Sequence, residues 1–106
     1  MRHIRTKYED YYVDEENLRQ GKCKSYYEGG ELERKGYYKD DKLNGECKWY
    51  WENGKILEEK FYKDGKLEGE YKRYYEDGRL EEEGYFKDGI EIKDPLEKFI
   101  LMGKEK

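Results

Sequence analysis

Cys23 and Cys47 stand 24 residues apart in matching surroundings, G-K-C-K at 21–24 and G-E-C-K at 45–48. Two thiols in equivalent settings could close a disulfide or supply half of a zinc site, since zinc takes four nitrogen, sulfur or oxygen ligands. The other half is missing. His3 is the sole histidine, with no cysteine or second histidine at metal spacing and no serine or cysteine placed for a nucleophilic triad. Carboxylates are plentiful, and Glu81, Glu82 and Glu83 run consecutively. On a strand such a run alternates between two faces, whereas acid–base cleavage of a glycoside needs two carboxyls converging in a cleft. These residue types at these spacings describe a non-catalytic chain with no metal and no cofactor.

What positions the cysteines is a repeat. Gly21, Gly45 and Gly69 open three versions of one segment, GKCKSYYEGGELERKGYYKDDKLN, GECKWYWENGKILEEKFYKDGKLE and GEYKRYYEDGRLEEEGYFKDGIEI. A fixed period of this size means one supersecondary unit stacked along an axis, each copy burying itself on its neighbours. Each unit holds two turn signals: Gly29-Gly30 and Asp40-Asp41, then Asn53-Gly54 and Asp64-Gly65, then Asp77-Gly78 and Asp88-Gly89. Asn-Gly and Asp-Gly suit two-residue type I′ loops, whose central residues both take positive φ. An antiparallel meander follows, with no helix before residue 94. A strand then separates the two cysteines by roughly 9–10 Å at ~4.8 Å per strand, beyond the ~7 Å Cα limit for a bridge. Both are expected to be free, half-buried thiols.

Two-residue loops also set the register. They place Tyr75 opposite Leu80, Tyr71 opposite Gly84, Gly69 opposite Phe86, Tyr62 opposite Leu67 and Lys60 opposite Gly69, so that rings fold over the bare backbone of glycines. Alternation along the strands gathers Leu43, Cys47, Trp49, Trp51, Ile56 and Tyr62, with Leu67, Tyr71, Tyr75, Leu80 and Phe86, on a packed face. Tyr26, Tyr50 and Tyr74, with Tyr37, Phe61 and Tyr85, form a wetter stripe on the other.

Composition agrees with a thin sheet. Apolar residues make up 34% and charged residues 47% of 106, yet aromatics reach 17%, with 13 Tyr, and the net charge is only −4. Rings must supply the burial while their hydroxyls stay wet. The amino terminus, MRHIRTK, is not an apolar leader and no stretch approaches the ~20 apolar residues of a membrane span. The expected compartment is the cytoplasm, or the secreted or lipoprotein fraction where a leader has been removed. Net acidity, and carboxylates beside the cations of units two and three, argue against nucleic acid and against a membrane surface.

The ends depart from the period. Residues 1–20 are expected to form a cap, a hairpin of Tyr8 to Val13 and Leu18 onward, with a loose terminus around His3. Residues 21–92 hold the three repeats. Residues 93–106 form a capping helix and tail: Asp94-Pro95-Leu96-Glu97 reads as an N-cap followed by a first-turn proline, and Leu96, Phe99, Ile100 and Met102 as the docked face. The fold class is all-β, an extended single-layer antiparallel meander of stacked hairpins closed by a short C-terminal helix.

The unit G-E-x-K-x-Y-x-E-D-G-K-L-E-E-E-x-x-Y-K-D-G-K-L-x, nearly intact over 45–91, resembles the MORN repeat, and more closely its bacterial variant. The first copy departs at Gly29 and Asp41, and Lys60 replaces the glycine present as Gly36 and Gly84. The resemblance implies stacked hairpins with an aromatic groove used for binding. Through similarity to the YwqK-like antitoxin group it further implies a protein that binds and blocks a toxin. Trp49, Trp51, Tyr71 and Tyr75 would be the anchors, because Trp and Tyr concentrate interface energy. Glu58 and Glu82, with Glu81 and Glu83, would steer a basic protein partner. The alternative is a structural or membrane-associated scaffold, self-associating as a homodimer that covers its aromatic side.

Overall fold

Both residues of Asp40-Asp41, Asp64-Gly65 and Asp88-Gly89 take positive φ, between 49° and 84°, as type I′ loops require. In the computed structural model, which describes residues 1–103, these loops join strands of one antiparallel sheet. The strands are β1 (Arg2–Arg5), β2 (Glu9–Val13), β3 (Gly21–Tyr26), β4 (Leu32–Lys39), β5 (Lys42–Leu43), β6 (Gly45–Tyr50), β7 (Ile56–Lys63), β8 (Lys66–Leu67), β9 (Gly69–Tyr74), β10 (Leu80–Lys87) and β11 (Ile90–Glu91). Helix α1 (Pro95–Gly103) follows. The order across the sheet is β1-β2-β3-β4-β6-β7-β9-β10-β11, with β5 on β4 and β8 on β7. The expected meander is therefore the observed fold.

The first turn of each unit is of another kind. Gly30, Gly54 and Gly78 have φ of 98°, 90° and 97°, but Gly29, Asn53 and Asp77 are not in the positive region. The Trp51 N–H donates to the Lys55 carbonyl (2.8 Å) and the Gly54 N–H to the Trp51 carbonyl (2.9 Å). This is a three-residue loop, a type I turn closed by a left-handed glycine. Asn53 Oδ1 and Asp77 Oδ1 accept the N–H of Lys55 and Arg79 at 2.9 and 3.0 Å, a local bond that favours this turn.

The extra loop residue is offset by a bulge in the returning strand. Tyr74 lies opposite Leu80, but Arg73 lies opposite Glu82; Tyr50 lies opposite Ile56, but Trp49 opposite Glu58. Beyond the bulge Tyr71 faces Gly84 and Gly69 faces Phe86, as the two-residue loop predicts. Before it, Leu80 and Ile56 oppose Tyr74 and Tyr50, and so join the wetter face rather than the packed one.

A further slip occurs where one unit passes into the next. Tyr62 lies opposite Leu67, yet Glu59 is opposite Lys72 and Glu58 opposite Arg73, two residues beyond an unbroken ladder. Lys60 does not face Gly69. The break is made at Gly45 and Gly69, whose φ of 106° and 91° glycine adopts without steric cost. An even slip leaves every side chain on its own face.

Units are tied at both rims. The Gly65 N–H donates to the Leu43 carbonyl (2.9 Å), Gly89 to Leu67 (2.8 Å) and Asp41 to Arg19 (3.1 Å). Beside them, side-chain oxygens of Gln20, Asn44 and Glu68 accept the N–H of Asp40, Asp64 and Asp88 at 3.1, 3.1 and 3.0 Å. At the opposite rim the Tyr27 hydroxyl donates to the Tyr50 carbonyl and the Trp51 indole to the Tyr74 carbonyl.

Cys47 is 1% exposed, and it and Cys23 are buried free thiols. They lie on β6 and β3 with β4 between. Gly36 of β4 makes the room: a Cβ there would come 2.8 Å from Cys47 Sγ. Burial raises both thiols, Cys47 to about 11.

The ends differ from expectation in two respects. Arg2–Arg5 is a strand paired along β2, with His3 stacked on Tyr12 at 4.6 Å and bonded to Asp10; with one aliphatic residue, it carries no strand signal of its own. Helix α1 is capped as predicted, Asp94 Oδ1 accepting the Leu96 N–H at 2.9 Å, but of the expected docked face only Met102 is turned to the sheet. Leu96, Phe99 and Ile100 are exposed, while Lys98, Leu101 and Met102 are half-buried. Lys98 and Met102 line a cleft with Glu70, Lys72, Glu83 and Tyr85. The helix thus covers the wetter face, leaving Tyr85 only 4% exposed where the equivalent Tyr37 and Phe61 are 45% and 41%. Residues 104–106 of the expected tail lie outside the described residues.

At pH 8 a thiol of pKa about 11 is ionised in roughly one molecule per thousand. Iodoacetamide should leave both cysteines unmodified in the folded protein and alkylate them promptly in guanidinium; rapid labelling of native protein would contradict the burial. The bond from the Asp88 N–H lowers the Glu68 pKa first of all, with Lys87 contributing. Its stabilisation is therefore present above the unfolded carboxyl value of ~4.3 and is lost as pH falls through the lower folded value. Glu68→Gln should melt below wild type at neutral pH, and the difference should vanish in acid; a pH-independent difference would refute the assignment.

Candidate functional site

The face that buries the cysteines carries a row running from strand to strand: Ser25, Arg34, Trp49, Glu58, Arg73 and Glu82, each opposite the next. Glu58 is its hub. Arg73 Nη1 donates to Glu58 Oε2 at 3.1 Å, the Tyr71 hydroxyl approaches the same oxygen at 3.4 Å, and Lys60 Nζ lies 3.6 Å from Oε1. The Lys60 ammonium also sits 5.1 Å from the Trp49 ring and 5.6 Å from the Tyr71 ring, a cation–π geometry worth roughly 0.5–2 kcal/mol per ring. Tyr71 leans on Phe86 at 5.9 Å. Burial, then the carboxylates of Glu82 and Glu58, push its phenol up to about 12.

Four of the six predicted site residues, Trp49, Tyr71, Glu58 and Glu82, therefore share one face and one network. Trp51 and Tyr75 stand apart, at equivalent places on the hairpin rim. The Trp51 indole is engaged with the Tyr74 carbonyl of the next unit at 3.3 Å. Tyr75 has no following unit and is exposed, with the Arg79 guanidinium 5.2 Å over its ring. Glu82 lies on β10, exposed beside Glu81 and Glu83. Among the described residues no three His, Cys, Asp or Glu side chains are grouped to hold a metal. What this arrangement offers is a patch of rings, cations and carboxylates suited to contact with another surface.

The opposite face holds a feature that the sequence reading passed over. Lys24, Lys35, Lys48, Glu59, Lys72 and Glu83 oppose one another in turn across the sheet. Three lysines thus stand side by side, and like charges directly opposite cost stability. With Lys22 and Tyr37 they line one cleft, whose single carboxylate is Glu46. Lys48 lies near Glu46 and Glu59, but Lys22, Lys24 and Lys35 form no ion pair among the described residues. In units two and three the positions of Lys22 and Lys35 hold Glu46 and Glu59, then Glu70 and Glu83. The charge balance read from those units does not extend to the first. The signal was present as the alternation Lys22, Lys24 and the Lys35 across the hairpin, but only the observed register makes them neighbours of Lys48.

No helix of the described residues is long and apolar enough to cross a membrane. No curated protein matches the chain. The MORN repeat variant matches residues 19–40, 43–64 and 67–88, each segment opening two residues before one of the three periodic glycines. Three tandem matches at the period of the structural unit, over more than half of the sequence, show that the chain belongs to the MORN repeat variant family, whose repeats are generally non-catalytic modules for protein or membrane interaction.

Proposed function

We propose that this chain is a non-catalytic binding module that holds and occludes a basic protein, as an antitoxin or immunity protein does a toxin, with the cytoplasm as its expected place of action. The observation that carries the reading is the row through Trp49, Glu58, Arg73 and Glu82. There two rings, Trp49 and Tyr71, are held by Lys60 and Glu58, and the row ends on exposed carboxylates at the rim of the sheet. Ordered aromatic anchors lose little entropy on binding, and exposed carboxylates beside them raise the rate of encounter with a cationic partner. Trp51 and Tyr75 would extend the contact along the hairpin rim.

The second reading, a structural or membrane-associated scaffold, is favoured by Lys22, Lys24 and Lys35 beside the exposed Tyr37. Lysines near an anionic bilayer contribute about 1 kcal/mol each, and an aromatic ring among them can enter the headgroup layer.

With the protein as bait, one stoichiometric basic partner should be recovered, its toxicity suppressed on coexpression and its capture weakened by salt. Recovery of self or membrane fragments alone would sink the antitoxin reading. Trp49→Ala should weaken that complex about tenfold, ~1.4 kcal/mol, with a smaller effect on the melting temperature. Trp51→Ala should lower both, since its indole also ties two units; equal losses for Trp49 would assign it to packing alone. Vesicles containing phosphatidylserine test the scaffold. If that reading holds they co-sediment with the protein, and Lys24→Glu with Lys35→Glu abolishes it; no sedimentation with wild type removes the membrane role.

A further inference from the structure

Both cross-sheet rows end at β10 on a carboxylate, Glu82 on the cysteine face and Glu83 on the other. The chain contains its own precedent for what belongs beside them. Strand β7 is the preceding copy of β10, with Glu58 and Glu59 where β10 has Glu82 and Glu83. The outer side of β7 is occupied by β9, which sets Arg73 opposite Glu58 and Lys72 opposite Glu59. Arg73 bonds Glu58 at 3.1 Å, and the Tyr74 hydroxyl bonds Glu59 Oε1 at 2.8 Å.

On β10 the corresponding place is open. Strand β11 pairs only with Phe86 and Lys87, and the Ile92 N–H reaches the Tyr85 carbonyl; from Leu80 to Gly84 no strand lies alongside among the described residues. Glu81, Glu82 and Glu83 are exposed, and neither Glu82 nor Glu83 forms an ion pair among the described residues. The chain adds no strand there itself, although α1 sets Lys98 and Met102 in a cleft with Glu83 on one face. Leu96 and Glu97, one period after Lys72 and Arg73, are wound into α1 behind Pro95, and a glutamate at that place would face Glu82. An unpaired strand edge is a template for another strand, and its charges decide which.

We infer that the outer edge of β10 accepts an extended Lys-Arg segment of a partner protein as an added antiparallel strand, the arginine opposite Glu82 and the lysine opposite Glu83. This deepens the proposed function by naming how the basic partner is held, and it rests on that reading for the partner's identity. Main-chain bonds along Leu80 to Gly84 would supply affinity and the two carboxylates specificity.

The probe is a synthetic peptide with the sequence of residues 69–76, GEYKRYYE, titrated into the 15N-labelled full chain. Saturable shifts should appear at the amides of Leu80 to Gly84. Glu82→Lys with Glu83→Lys should weaken binding at least tenfold while the rest of the spectrum, which reports folding, is retained. A peptide with both cations replaced by glutamate should not bind. No shifts at saturating peptide, shifts confined to the helix or the lysine cleft, or equal binding by the doubly substituted chain would overturn the inference. Self-association of the chain alone, abolished by the same substitutions, would assign the edge to the Arg2–Arg5 strand of a second copy and overturn the partner strand. The two readings fail separately. A toxin neutralised while the β10 amides stay unmoved sinks the edge alone, and a peptide that pairs at β10 where bait finds no toxin sinks the antitoxin alone.

Discussion

The hydrogen bonds between stacked type I′ turns hold the molecule to its period. Each turn gives an N–H to a carbonyl in the turn region of the preceding unit, Gly65 to Leu43 and Gly89 to Leu67, while Asn44 and Glu68 accept the neighbouring N–H of Asp64 and Asp88. A single sheet with so few fully buried side chains has no second layer against which a shifted unit could be recognised as wrong. Directional bonds at the rim perform that role, since an N–H left without an acceptor in a crowded turn costs stability.

That constraint leaves the faces free to vary, and they do. Gly36 admits Cys47 into its space, whereas Lys60, one period later, carries an ammonium up between Trp49 and Tyr71. Arg34, Glu58, Arg73 and Glu82 follow in one row, lysines crowd the first unit of the other face, and glutamates take their places in the later units. A repeat that stacks through its turns can thus present a charge pattern that changes from end to end, which a shared core would restrict. The features to which we assign a binding role lie where the period is broken: the Lys22, Lys24 and Lys35 cluster, the Lys60 substitution and the edge of β10.

The two ends close the array differently. At the amino end β1 adds a strand whose Arg5 and His3 meet Asp10 and whose His3 ring stacks on Tyr12, so polar bonds and ring stacking together hold the edge strand on its inner side. At the carboxyl end Asp94 and Pro95 turn the chain into a helix that folds back over Tyr85 instead of continuing the sheet. Exposed glutamates on β10 then discourage pairing with all but a cationic strand.

Much of this was legible in the residues. The 24-residue period, the I′ turns at Asp64-Gly65 and Asp88-Gly89, the separation of the cysteines by a strand and the Asp94 cap all depend on chemistry within a few positions of the chain, where local rules are strong. The pairings of Tyr71 with Gly84 and Gly69 with Phe86 were predicted from a two-residue loop that does not exist there, and held because a three-residue loop and a bulge cancel. Local signals cannot weigh those two against each other; packing of the strand on its neighbour does. The same is true of Leu80 and Ile56, whose face is reversed between loop and bulge, of the two-residue slip that removed Lys60 from Gly69, and of β1, which is a strand only because β2 offers it an edge. Which face α1 covers, and that Lys24, Lys35 and Lys48 become neighbours, follow from contacts between units distant in sequence, and so from the folded sheet alone.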